Sequence, residues 1–106
     1  MAHTLNNLQE FTEMGSQLAF SPTGFQSKVI FEREKQKIIL FAFEQGQQLK
    51  EHKTAHDALL VMLEGQCTFD IYQTRLHLKA GEVYRIPANE PHALQATSNF
   101  KMVLIK

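Results

Sequence analysis

From residue 28 onward the chain is a series of short apolar runs, five to nine residues long, separated by turn-forming residues. "KVIFERE" and "KIILFAFEQ" are rich in β-branched and aromatic side chains, and the polar stretch from Glu34 to Lys37 lies between them. This reads as a β-hairpin whose second strand is buried on both faces, ended by Gly46. "QCTFDIY" alternates strictly, with Cys67, Phe69 and Ile71 on one side and Thr68 and Asp70 on the other, as in a half-buried strand. "RLHLKAG" continues after a turn near Gln73. "EVYRIPANEPHALQA" is interrupted by Pro87 and Pro91, so its middle is a loop, and "FKMVLIK" closes the chain as an apolar strand. Many short strands with turns between them predict an all-β antiparallel sandwich or barrel.

Two stretches are less decisive. "TLNNLQEFTEM" spaces Leu5, Leu8 and Phe11 at three-residue intervals, so Thr4 could cap a short helix that Gly15 stops; an extended arm fits equally. Residues 16–27 carry Pro22, Gly24 and several serines and read as loop. In "DALLVMLEG", Ala, Leu and Met favour a helix from Glu51 to Glu64, but the run is short, sits among strands and ends at Gly65.

With 106 residues, the chain has room for one domain, residues 1–106, and one modest core. Eleven basic residues balance eleven acidic ones, so nothing favours nucleic acid as a partner. The single cysteine, Cys67, excludes an internal disulfide and any multi-thiolate metal site. The start lacks a signal-peptide pattern, and no apolar run nears the roughly 18 residues of a membrane span. The expectation is a cytoplasmic protein with no membrane partner.

"EHKTAHDALLVMLEG" then poses the chemical question, because His52 and His56 lie four positions apart. On a helix they share a face and both reach one metal ion. On a straight strand they lie about 13 Å apart, too far for bonds of about 2 Å.

Two spacings bear on the choice. Gly46 is followed, after five residues, by His52, and thirteen positions later stands Gly65. Gly81 is followed, after five residues, by Pro87, and five positions later stands His92. This pair resembles the two motifs of the cupin superfamily: Gly, five residues, His-x-His, three or four residues, Glu, six residues, Gly; then Gly, five residues, Pro-x-Gly, two residues, His. The match spans residues 46–92, and the fifteen residues between Gly65 and Gly81 form a short link typical of small bacterial, RmlC-like members. The resemblance implies a double-stranded β-helix, or jelly-roll barrel, with the motif histidines in its mouth and a short N-terminal helix or arm. Asn89 stands in the second glycine slot, a mild departure because asparagine tolerates a left-handed turn.

The first motif departs further. Thr54 occupies the second histidine slot and Ala58 the glutamate slot, so of four usual metal ligands His52 and His92 remain. His56 lies in the turn before Ala58 and is either a solvated loop residue or a third ligand beside them. Three histidines with open positions would suit a divalent metal such as zinc, nickel or iron; the better supported expectation is a metal held weakly or absent.

Three function classes follow: a barrel that binds a small molecule in its mouth, a metal-dependent oxygenase or isomerase, and a metal-free acid–base enzyme. The first is preferred, because Thr54 and Ala58 leave a roomier, less charged mouth. Its expected lining is Thr54, Ala58, Leu60, Met62, Phe69 and Tyr84. His77 alternates with Leu76 and Leu78 and is expected on the surface, and Cys67 to behave as a small inert hydrophobe. A homodimer is also expected, because "KIILFAFEQ" and "KMVLIK" carry more apolar side chains than one face of a small barrel buries.

Overall fold

The computed structural model describes residues 13–106, and its strands build two facing antiparallel sheets. The strands are β1 (Gln26–Arg33), β2 (Gln36–Phe43), β3 (Gln48–His52), β4 (Ala58–Glu64), β5 (Gln66–Ile71), β6 (Thr74–Lys79), β7 (Val83–Ile86), β8 (His92–Ala96) and β9 (Phe100–Ile105). One sheet has the order β1-β2-β9-β4-β7 and the other β3-β8-β5-β6, which is a jelly roll. The chain is all-β apart from a single 3-10 turn at Met14–Gln17 among the described residues. Most of the helix considered for residues 4–14 lies outside the described residues. Gly15 sits within the 3-10 turn rather than after a helix.

Residues 58–64 are a strand despite good helix formers. β4 is paired on both sides, with β7 and with β9, and alternates buried and half-buried along its length. Two ladders and a buried face outweigh helix propensity, which amounts to only about 0.7 kcal/mol per residue.

Parity sorts the core. Phe43, Leu60, Met62, Cys67, Phe69, Ile71, Phe100 and Met102 fill the space between the sheets. Phe43 and Phe100 face each other across β2 and β9, their rings nearly parallel with centroids 4.7 Å apart, and Phe25 stacks on Phe43 at 4.8 Å. Each such ring contributes roughly 1.5–3 kcal/mol through burial. On the outer face of the larger sheet, Leu40, Ala42 and Val103 are also buried. There the Lys101 ammonium bonds the Gly15 carbonyl and lies over the Phe20 ring, so residues 15–20 pass across that face.

The chain changes sheets six times, and four of the crossings meet at one end: residues 44–47, Gly65, residues 80–82 and residues 97–99. Backbone bonds knit them, from Gly46 N–H to Ala96 O at 2.9 Å and from Thr97 N–H to Gln66 O at 3.2 Å. Asn99 Oδ1 accepts from Gln45 N–H at 2.8 Å, and Ser98 Oγ from Gln66 N–H at 3.0 Å. Gly65 has φ of 77°, and a Cβ there would stand 2.0 Å from the Asn99 carbonyl oxygen. The opposite end is formed by the β1–β2 turn, loop 53–57, the turn at Tyr72 and Gln73, and loop 87–91.

Loops 53–57 and 87–91 are tied directly. Asn89 N–H donates to Thr54 O at 2.7 Å. The Asp57 carboxylate accepts from Ala88 N–H at 2.8 Å and from the Arg85 guanidinium at 2.5 Å. The Ala88 amide, and then Arg85, hold the Asp57 carboxyl below its ordinary value.

Two stability predictions follow from these ends. Gly65→Ala should cost about 3 kcal/mol or more in urea unfolding, since it meets backbone and not a flexible side chain. Gly46→Ala, at φ 92° with nothing within 4 Å of a new Cβ, should cost only about 1–2 kcal/mol. Asp57→Ala should speed hydrogen exchange at the Ala88 amide by about tenfold. Because the Asp57 pKa is lowered, its clamp is present above the ordinary carboxylate range and lost as pH falls through the lowered value. Ala88 protection should therefore fall at acid pH in the wild type, and stay flat in the variant.

Candidate functional site

The two histidines that keep their motif positions meet because β3 and β8 are neighbours. His52 ends β3, His92 opens β8, and the antiparallel register places them directly opposite each other. Cross-strand partners share a face of the sheet. Their ring centroids are 4.4 Å apart, with the planes inclined by 60°. The register is irregular between Leu49 and His52, which re-aims the last residues of β3. Before His92, Asn89 takes φ of 63° and Pro91 limits the loop, so the chain arrives at β8 in one direction.

Both rings are held in the same way. Nδ1 of His52 lies 3.0 Å from Lys50 O, and Nδ1 of His92 lies 2.9 Å from Glu90 O. A carbonyl oxygen only accepts, so in each neutral ring Nδ1 carries the proton and Nε2 keeps its lone pair. His92 is 5% exposed, whereas His52 is half-buried. Burial pushes the His92 pKa down; the Glu90 carbonyl opposes this, and the neighbouring His52 adds to it. His92 is therefore neutral at pH 7.

An aromatic row continues inward from the pair. Phe69 stacks on His92 with centroids 5.7 Å apart, and Tyr84 meets Phe69 in a tilted contact at 5.1 Å. Ile71 stands opposite His92 on β5. Ala58, Leu60, Met62, Phe69 and Tyr84, expected to line a ligand cavity, do point between the sheets. Yet Leu60, Met62 and Phe69 are at most 1% exposed, and Ala58 is 5% exposed. They are packed core beneath the histidines rather than the wall of an open cavity.

Thr54 and His56 are placed elsewhere. Thr54 Oγ1 donates to His56 O at 3.0 Å, and both residues line a hollow shared with Lys35, Lys37 and Lys106. His56 is exposed and is not brought to the histidine pair. Among the described residues no three His, Cys, Asp or Glu side chains converge as a metal site would require. The pair itself suits a divalent ion as a partial donor set: two neutral imidazoles, each with its second nitrogen fixed by a carbonyl, which is how metal-binding histidines are oriented.

The remaining candidates are plain. His77 is exposed. Cys67 is buried, its thiol is pushed up to about 12 by burial, and its nearest sulfur neighbour is Met62 Sδ at 3.9 Å, so it is no nucleophile. Sequence reasoning missed Asp57 and Arg85, which hold the two motif loops together, because the pair is 28 residues apart and neither falls in a motif slot. It also missed the carbonyls of Lys50 and Glu90, for which a sequence carries no signal.

Comparison with known proteins places this geometry. Residues 39–106, more than half of the chain, match the family model described as the cupin domain. A conserved protein of unknown function from Streptococcus pyogenes is 26% identical, with a TM-score of 0.81 over 88% of this chain and 82% of that one. A cupin superfamily protein from Desulfitobacterium hafniense is 24% identical, with a TM-score of 0.84 over 88% and 85%. A cupin 2 conserved barrel domain protein from Leptotrichia buccalis is 30% identical over 87% of this chain but 45% of that one, with a TM-score of 0.81. No curated protein matches the sequence. With both motif loops closing on one pair of imidazoles in a jelly roll, the chain belongs to the cupin family.

Proposed function

We propose that this cupin binds a small molecule at the barrel mouth through the Nε2 atoms of His52 and His92, with a divalent metal held weakly or not at all. The observation that carries this reading is the shared anchoring of both Nδ1 atoms on backbone carbonyls. It leaves two lone pairs on neighbouring rings, so the site accepts hydrogen bonds. A fitting ligand presents a hydroxyl or amide donor to the imidazoles. It is small and lies near the rim, because the floor of Leu60, Met62 and Phe69 is closed.

The same nitrogens are what zinc, nickel or iron would take. A bound ion would act as a Lewis acid on a ligand oxygen. Ala58 offers no donor, and Thr54 is turned to His56, so the protein supplies two ligands where a full cupin site has four. Such an ion is substoichiometric after purification and removed by mild chelation with the fold intact. A metal-dependent enzyme is the weaker alternative for this reason, and an acid–base enzyme is weaker still, since carbonyls rather than carboxylates orient both rings.

We also propose a homodimer. Leu40, Ala42 and Val103 are covered within the single chain, so the original reason for a partner does not apply to them. Among the described residues, the outer face leaves open Val83 and a cross-strand row, Phe31, Ile38, Ile105 and Leu59, with Phe31 53% and Ile105 38% exposed. An antiparallel sheet face of this kind is matched by a second copy of itself.

Nitrogen NMR of the imidazoles should show both His52 and His92 with the proton on Nδ1; a proton on Nε2 in either ring would overturn the acceptor reading. Zinc titrated calorimetrically should bind weakly, about tenfold or more weaker still in His92→Ala, and equal binding by both proteins refutes the site. Zinc affinity should fall at acid pH, because protonated imidazole does not bind metal, and since burial lowers the His92 pKa that ring gives up its metal-binding form only below the ordinary imidazole range. Light scattering at micromolar concentration should give a dimer mass, and Phe31→Lys with Ile105→Lys a monomer; a wild-type monomer removes the dimer proposal.

A further inference from the structure

We propose that the hollow between the β1–β2 turn, loop 53–57 and the end of β9 is a phosphate-binding site, separate from the histidine pair. The cavity measures about 240 Å³ and is lined by Lys35, Lys37, Thr54, Ala55, His56 and Lys106. Room for a phosphate group with a small organic remainder fits that volume.

Lys37 and Lys106 are the heart of the site. Their main chains exchange two hydrogen bonds, Lys37 N–H to Lys106 O at 2.6 Å and Lys106 N–H to Lys37 O at 2.9 Å. They are therefore a hydrogen-bonded cross-strand pair, with both side chains on one face of the sheet. Outward-facing Ile38 and Ile105 are their chain neighbours, so the two lysines lie on the inner side, at the barrel's open end. Like charges directly opposite each other destabilise a sheet unless an anion answers them. Lys35 adds a third charge from the turn.

The protein's own answer is slight. Among the described residues the one ion pair made by these lysines joins Lys37 Nζ to Glu32 at 4.0 Å, and both side chains are about half exposed. Glu34 adjoins Lys35 in the turn, and Asp57, next to His56, is already engaged by Arg85 and the Ala88 amide. Thr54 gives its proton to His56 O, so its hydroxyl faces the hollow as an acceptor only. Acidic residues collect instead on the other flank of the same end, where Glu51, Asp70 and Glu90 border a different hollow. The open end is thus polarised, and a dianion is steered to the lysine side. Phosphate, free or as a monoester, supplies the several acceptor oxygens that three ammonium groups can share.

Amide NMR of the full chain tests this, with inorganic phosphate, glycerol phosphate and succinate added at constant ionic strength against chloride. Phosphate should produce saturable shifts at Lys37, Thr54, Ala55, His56 and Lys106. Saturation with glycerol phosphate at lower concentration than inorganic phosphate would identify a monoester as the ligand; the reverse order would identify the free ion. Lys37→Gln and Lys106→Gln should each weaken phosphate binding by about fivefold, and the double variant should abolish it. Both variants should melt slightly higher than wild type without phosphate, since like-charge repulsion is relieved, and should lose the rise that phosphate gives the wild type. Lys79→Gln, which removes a lysine paired with Glu82 elsewhere, should leave binding unchanged. Shifts that do not saturate, equal shifts with chloride, tighter binding of succinate, or the same affinity in the double variant would each overturn the proposal.

Discussion

The contact between Gly65 and the Asn99–Phe100 backbone is the constraint on which this barrel depends. At Gly65 the chain passes from the larger sheet to the smaller one, and at residues 97–99 it makes its last crossing back. The two crossings touch so closely that no side chain fits between them. With this end knitted shut, β4 is set against β9, β5 against β8, and β8 in turn against β3. The facing of His52 and His92 at the far end is inherited from those registers. A slip of one residue anywhere along the series would send one imidazole to the other face of its sheet.

Much of this was legible in the sequence because glycines and prolines have few roles. Gly46, Gly65 and Gly81 take φ of 92°, 77° and 90°, and Asn89 takes 63°, so each occupies a turn that a β-branched residue would strain. Strict alternation in "QCTFDIY" marked β5 and its inward side chains, since a period of two has no other regular structure to serve. Residues 58–64 were ambiguous because the helix propensity of Leu and Met is local, whereas the two ladders that decide the matter come from strands 20 and more residues away.

The site was legible only in part, for a related reason. Spacing identifies which residues stand near the mouth but not how deep each one sits. Leu60 and Met62 have the right parity for a cavity wall, yet close packing against Leu104 and Met102 leaves them no free surface. Thr54 holds a ligand slot of the first motif, but its hydroxyl finds a carbonyl two residues on, a local bond that threonine readily makes in a turn. The spacing from each glycine also does not explain why the histidines meet: Gly81 precedes β7, a whole loop before His92, and the meeting is a cross-strand pairing of β3 with β8.

With Thr54 and Ala58 in two ligand slots, the remaining histidines are organised differently. In a four-ligand site a metal organises the donors and offsets the cost of burying them. Here backbone carbonyls do the organising, and they act whether or not an ion is present. Burial of His92 favours its neutral form, and a charge on His52 at a 4.4 Å ring separation would disfavour protonation further; two unit charges at that range repel by about 4 kcal/mol at an effective dielectric constant of 20. The result is a preorganised pair of acceptors set on a rigid aromatic floor. A ligand binding there has little protein ordering to oppose it. On the proposed reading, such a pair serves recognition of a small hydrogen-bond donor, whereas chemistry would call on a third group to move a proton or to complete the coordination of a metal.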